Sequence, residues 1–181
     1  MSRRRTLSTL TASLALLVPG LAVAPVSPAE ATVALTEEQV ADLSFTRDEE
    51  RMALDLWTLF ADEYPDAATF ANIAESEQQH FDTIGAALDK YDLPDPSEGM
   101  PAGEYVVPAI QELYDTWEAE GLASLDDALQ VGIDLETRDI EDLEALIAKD
   151  QPEDLEQVYT NLCDGSYDHL DAFTDAAEAA E

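Results

Sequence analysis

The chain has 181 residues, enough for one domain with a substantial core, and its 41 Asp and Glu against 8 Lys and Arg give a formal net charge of -33. Such a surface repels nucleic acid and anionic headgroups and attracts cations and basic partners, which excludes DNA or RNA binding as a function class. Hydrophobic content of 46% argues against wholesale disorder, and the single cysteine, Cys163, excludes an intramolecular disulfide and a cysteine-built zinc site.

Residues 1–31 read as an export signal peptide. Arg3, Arg4 and Arg5 give the positive start, Leu10 to Ala24 a short apolar stretch broken by Pro19 and Gly20, and Ala29-Glu30-Ala31 a small-x-small cleavage site. The domain at residues 32–181 is then expected outside the cytoplasmic membrane, secreted or in the cell envelope. Ser2-Arg3-Arg4 also resembles a twin-arginine start, so both export routes stay open. No later stretch is apolar enough to span a bilayer.

Thr36-x-x-Gln39 and Thr46-x-x-Glu49 both have the capping-box pattern, so either one helix starts at Thr36 or a short helix precedes a longer one. Met52, Ala53, Leu56, Trp57 and Phe60 mark the buried stripe of this first long helix, which is expected to end near Glu63. A second long helix is expected from about Asp66 to the breaker Asp92-Leu93-Pro94-Asp95-Pro96. Residues 92–124 form a long connection with a shorter amphipathic helix near Val107 to Glu120. Ser124 caps the third long helix, and Pro152 opens the fourth, whose Ala-rich tail after Thr174 is expected to fray. Gly165 interrupts the fourth pattern and predicts a kink or a close backbone approach; Cys163 reads as a small buried residue.

Polar residues fall inside each apolar stripe. Glu77 lies four residues from both Ile73 and Phe81, and His80 lies four before Ile84, so a carboxylate and an imidazole share the inner side of the second helix. An i, i+3 pair of this kind stands one turn apart, close enough to bind one cation, or to form a plain Glu–His hydrogen bond. Glu49 and Glu50 on the first helix, Glu136 with Asp139 nearby on the third, and Ser166 and His169 on the fourth take inner positions as well. Both histidines of the chain therefore face inward.

Together, Arg47-Asp-Glu-Glu-Arg-Met-Ala53, Asn72-Ile-Ala-Glu-Ser-Glu-Gln-Gln-His80, Val131-Gly-Ile-Asp-Leu-Glu136 and Asn161-Leu-Cys-Asp-Gly-Ser-Tyr-Asp-His169 resemble the ferritin-like superfamily, most closely a secreted branch classified as a domain of unknown function. The resemblance covers Leu35 to Asp175. It implies an all-α, ferritin-like four-helix bundle with a long crossover between the second and third long helices, and metal ligands at Glu50, Glu77, His80, Glu136 and His169. Glu50 is preferred to Glu49 because Glu50, Ala53 and Trp57 resemble the superfamily's spacing. The implied metal is iron, as a di-iron pair in many members, with manganese or zinc as alternatives. The implied activity is oxidation of ferrous iron or consumption of peroxide, with dioxygen or peroxide as the small oxidant.

Ser166 departs from the pattern, standing where the fourth helix should offer a Glu. That departure leaves three outcomes open: a two-metal site completed by water or Asp139, a single-metal site, or no metal. The competing reading is a metal-free acidic helical envelope or interaction protein, and a monomer or dimer is expected in either case.

Overall fold

The computed structural model describes residues 34–180; the export signal read over residues 1–31 lies outside them. The described residues form five helices and no strands: α1 (Glu37–Glu63), α2 (Ala68–Lys90), α3 (Pro108–Gly121), α4 (Leu125–Ile147) and α5 (Glu153–Ala180). The protein is all-α. No helix among the described residues is long and apolar enough to cross a membrane.

Of the two starts open for α1, the structure takes Thr36, which closes a full capping box with Gln39. Thr46 lies inside the same helix, its hydroxyl donated back to the Asp42 carbonyl. α1 and α2 pack along each other as a hairpin across a short turn, and α4 and α5 form a second hairpin. Ser124 caps α4 through Asp127 N, and the Pro152 carbonyl accepts from Leu155 and Glu156 at the start of α5.

The expected fraying after Thr174 is not found: α5 continues to Ala180. Phe173 is fully buried, and Ala172, Ala176 and Ala177 lie against the same apolar cluster, so packing holds the last turns in place. α5 runs through Gly165 as one helix of 28 residues.

Residues 91–107 are pinned by one charged turn of α1. Arg47 pairs with Asp95 at 2.6 Å and also donates to the Phe81 carbonyl, while Arg51 reaches the carbonyls of Met100, Pro101 and Glu104. Asp48 is fully buried and accepts from Ser97 Oγ at 3.2 Å, Val106 N at 3.0 Å and Val107 N at 2.9 Å, the last two just before α3. Gly121, the last residue of α3, lies so close to α1 that an added Cβ would stand 2.1 Å from the tip of the Phe60 ring.

Apolar side chains gather in two separate clusters. One holds Trp57, Phe60, Phe70, Leu129 and Phe173; the other holds Leu43, Ile84, Leu143, Leu155 and Tyr159. Along α1, α2, α4 and α5, a belt of buried polar residues lies between them. That belt contains Glu50, Glu77, His80, Glu136, Asp139, Ser166 and His169.

Candidate metal centre

Three helices each send an i, i+3 pair of polar side chains into the belt: Glu77 and His80 from α2, Glu136 and Asp139 from α4, Ser166 and His169 from α5. Their contacts sort them into two tiers one helical turn apart. In the first, His169 Nδ1 lies 2.8 Å from Glu77 Oε1 and 3.5 Å from Glu136 Oε2. In the second, His80 Nδ1 lies 3.2 Å from Glu50 Oε2, while Ser166 Oγ donates to Asp139 Oδ2 at 2.6 Å. Glu77 Oε2 joins the tiers, 3.2 Å from His80 Nδ1. One carboxylate thus presents a separate oxygen to each of the two histidines.

All five residues expected as ligands are buried and come together, and the imidazole centroids stand 5.2 Å apart. Glu77, His80 and His169 each bring a donor atom within 4.8 Å of the other two. Glu50 is the α1 residue that faces the histidines. Glu49 turns to the neighbouring side, where its Oε1 lies 3.4 Å from Arg138 Nε. Trp57 belongs to the aromatic cluster with Phe60, Phe70 and Phe173. Gly165 provides the close approach: a Cβ there would stand 2.5 Å from His80 Nε2, so the bare α5 backbone makes room for the ring.

His80 Nδ1 shares a hydrogen bond with Glu50 Oε2, but several other polar atoms of the cluster have none. Glu50 Oε1, Glu77 Oε2, Glu136 Oε1 and His169 Nδ1 are buried without a hydrogen-bond partner, although oppositely charged atoms stand nearby. A partnerless buried polar atom costs about 1–3 kcal/mol. Glu77, His80 and His169 offer donor atoms close enough together to take one cation. Carboxylate oxygen with imidazole nitrogen fits a divalent first-row ion, iron, manganese or zinc among them.

Without a cation the cluster holds protons. Burial pushes the Glu50 and Glu136 carboxyls up to about 8, the neighbouring Glu77 charge adding to it for Glu136. Burial opposes charge on the imidazoles, but the adjoining carboxylates outweigh it and raise His80 to about 11 and His169 to about 10. Burial also works against the Glu77 carboxylate, yet the adjoining His169 and His80 imidazoliums hold it well below its ordinary range.

These shifts set the sign of the pH dependence. The folded state binds more protons than the unfolded one from 4.5 to about 8 at the two carboxyls, and from 6.5 to about 10 or 11 at the imidazoles, so stability falls as pH rises through both windows. The Glu77 contribution is present above its ordinary value of 4.5 and is lost on acidification below that. Chelator-treated protein at constant ionic strength is therefore expected to melt highest near pH 5 and progressively lower toward pH 9. A melting temperature rising across that range would contradict the protonated cluster.

Sequence reading assigned no role to Arg47, Asp48 or Arg51. Five consecutive charged residues, Arg47 to Arg51, sweep more than a full helical turn and must put some charge inward, which was the available signal.

Fold and centre together define an all-helical protein with a buried Glu/His cluster. Residues 39–180 match the family described as "Uncharacterized protein domain (DUF2202)", and the chain belongs to it. It is 40% identical over 139 residues to uncharacterized protein MJ0754 of Methanocaldococcus jannaschii, spanning 77% of this chain and 75% of the relative. The crystal structure of hypothetical protein MJ0754 from Methanococcus jannaschii DSM 2661 superposes with a TM-score of 0.80 at 36% identity, covering 84% of this chain and 86% of that one.

Proposed function

We propose that this is an exported, ferritin-like metal-binding protein in which Glu50, Glu77, His80, Glu136 and His169 hold iron, with manganese or zinc as competing ions. The placement of one Glu77 oxygen toward each histidine carries this reading. The two helical hairpins, with the crossover at residues 91–124 between them, support a ferritin-like four-helix bundle. Bound iron supplies one-electron chemistry toward dioxygen or peroxide.

The chain's own groups prepare that chemistry. Glu50 and Glu136 hold protons at their carboxyls near neutrality and release them when a cation takes their oxygens. The apolar clusters on either side keep bulk water from the belt. Gly165 lets the His80 ring lie flush against α5, so Gly165→Ala should weaken metal binding about tenfold or more even though Ala favours the helix by about 1 kcal/mol. Unchanged affinity in that variant would show that the ring is not held there.

The deciding experiment is metal content per chain after anaerobic loading with ferrous iron and desalting, with manganese and zinc in parallel. A stoichiometric ion supports the reading, and oxygen- and peroxide-consumption assays follow from it. No tightly held ion of any kind overturns it in favour of a metal-free acidic envelope or interaction protein. One observation favours that second reading: all five basic side chains among the described residues are engaged in ion pairs, leaving the surface charge to acids.

A further inference from the structure

We propose that the Arg138 guanidinium is a displaceable plug over the route by which a divalent cation passes from the surface into the belt, along the seam between α1 and α4. The inference rests on metal binding by the centre proposed above and adds the way in.

A closed belt needs an entrance. Glu77, His80, Glu136 and His169 are all buried and apolar clusters lie to either side, so an ion must enter between helices. The seam between α1 and α4 carries a surface groove of about 170 Å³ lined by Asp42, Phe45, Asp142, Ala145, Leu146 and Lys149. Asp142 also receives Arg138, Oδ2 to Nη2 at 3.1 Å, so the groove leads up to the guanidinium. On the inner side, Arg138 Nε stands 3.4 Å from Oε1 of Glu49, whose side chain is 3% exposed against 38% for Arg138. Glu50, next to Glu49 on α1, reaches His80 at 3.2 Å. From solvent inward the order is therefore Asp142, Arg138, Glu49, Glu50 and His80.

The plug is held by charge without directed bonds. Arg138 Nε, Glu49 Oε1 and Asp142 Oδ2 all lack a hydrogen-bond partner despite these distances. Arg47, by contrast, grips Asp95 with Nε and Nη2 on its two carboxylate oxygens, the forked geometry of a fixed pair. Arg138 is also the one basic residue of α4. Its charge has the same sign as an incoming ion, so in place between Asp142 and Glu49 it repels one. Swung outward, it leaves a surface carboxylate and a buried carboxylate that a divalent ion can meet in turn. The ion then replaces the guanidinium beside Glu49, and the buried carboxylate stays paired throughout.

The test follows zinc transfer by stopped flow, as uptake by metal-free protein from a fluorescent zinc indicator and as release from loaded protein to a chelator, at an ionic strength that screens distant charges. Arg138→Gln should speed both by about tenfold, the low end of what focused charge does to association rates. The amount bound and the dissociation constant should not change. A loosened fold would weaken binding as well, so faster exchange at constant affinity separates a plug from structural damage. Lys90→Gln removes one positive charge from the pair with Asp154, away from the seam, and should exchange zinc at the wild-type rates. Unchanged rates in Arg138→Gln, faster exchange with weakened binding, or equal acceleration in Lys90→Gln overturns the plug and leaves the metal centre standing. Wild type that holds no zinc, iron or manganese overturns the centre and the plug together.

Discussion

If the proposed metal centre is correct, Glu77→Gln should fold but fail to retain a metal that the wild type retains. Glutamine keeps the volume and two polar atoms but removes the charge, and with it the one group that offers an oxygen to each histidine. Metal affinity should fall by more than about a hundredfold, well beyond the usual loss for an outer supporting group. Folding should survive because the remaining groups can rebalance: Glu50 stands beside His80 and Glu136 beside His169, so each imidazole retains a carboxylate of its own. Melting of the metal-free variant should move by only a few degrees, corresponding to about 1–2 kcal/mol. Desalting followed by elemental analysis checks the metal, and a stoichiometric ion retained by the variant would remove Glu77 from the ligand set.

Asp48→Ala should act in the opposite way, costing stability before metal. One buried carboxylate answers three donors, two of them backbone amides at the entrance to α3. Alanine leaves those donors facing the protein without an acceptor, and some regain water only if the crossover lifts away. With about 1–3 kcal/mol for each unsatisfied group and partial relief by water, the expected loss is about 3–5 kcal/mol, or on the order of 10 °C in melting temperature. Denaturant unfolding measures the total, and hydrogen exchange should show new opening at residues 91–107. A loss below about 1 kcal/mol would mean that the crossover is held by Arg47 and Arg51 without Asp48.

The long helices were legible because their apolar residues repeat at helical spacing and because Thr36 and Ser124 are strong caps. Thr46 kept a second start open because the sequence shows the capping residues but not the packing that carries the helix past them. The tail after Thr174 misled for a related reason: alanines have little hydrophobic signal, yet Ala176 and Ala177 fit a surface already shaped by Phe173.

At the centre, the inward positions of both histidines and of Glu77 and Glu136 follow from periodicity alone. The choice between Glu49 and Glu50 does not, since adjacent residues on a helix differ by only about 100° and either can lean toward the belt. The tie between Ser166 and Asp139 joins different helices, and no local pattern encodes it. Arg47, Asp48 and Arg51 were harder still, because their partners are mostly backbone groups in a segment without regular structure.

The separation of the apolar core into two clusters bears on how the molecule comes apart. Each cluster draws on both hairpins, but side-chain contact between the clusters is interrupted by the charged belt, leaving the helices themselves to transmit order from one half to the other. In the metal-free chain the belt is a seam, held by shared protons. A cation bound there would fasten four helices at mid-length and make the halves unfold as one body. Its contribution would then appear in the sharpness of the transition as well as in its midpoint.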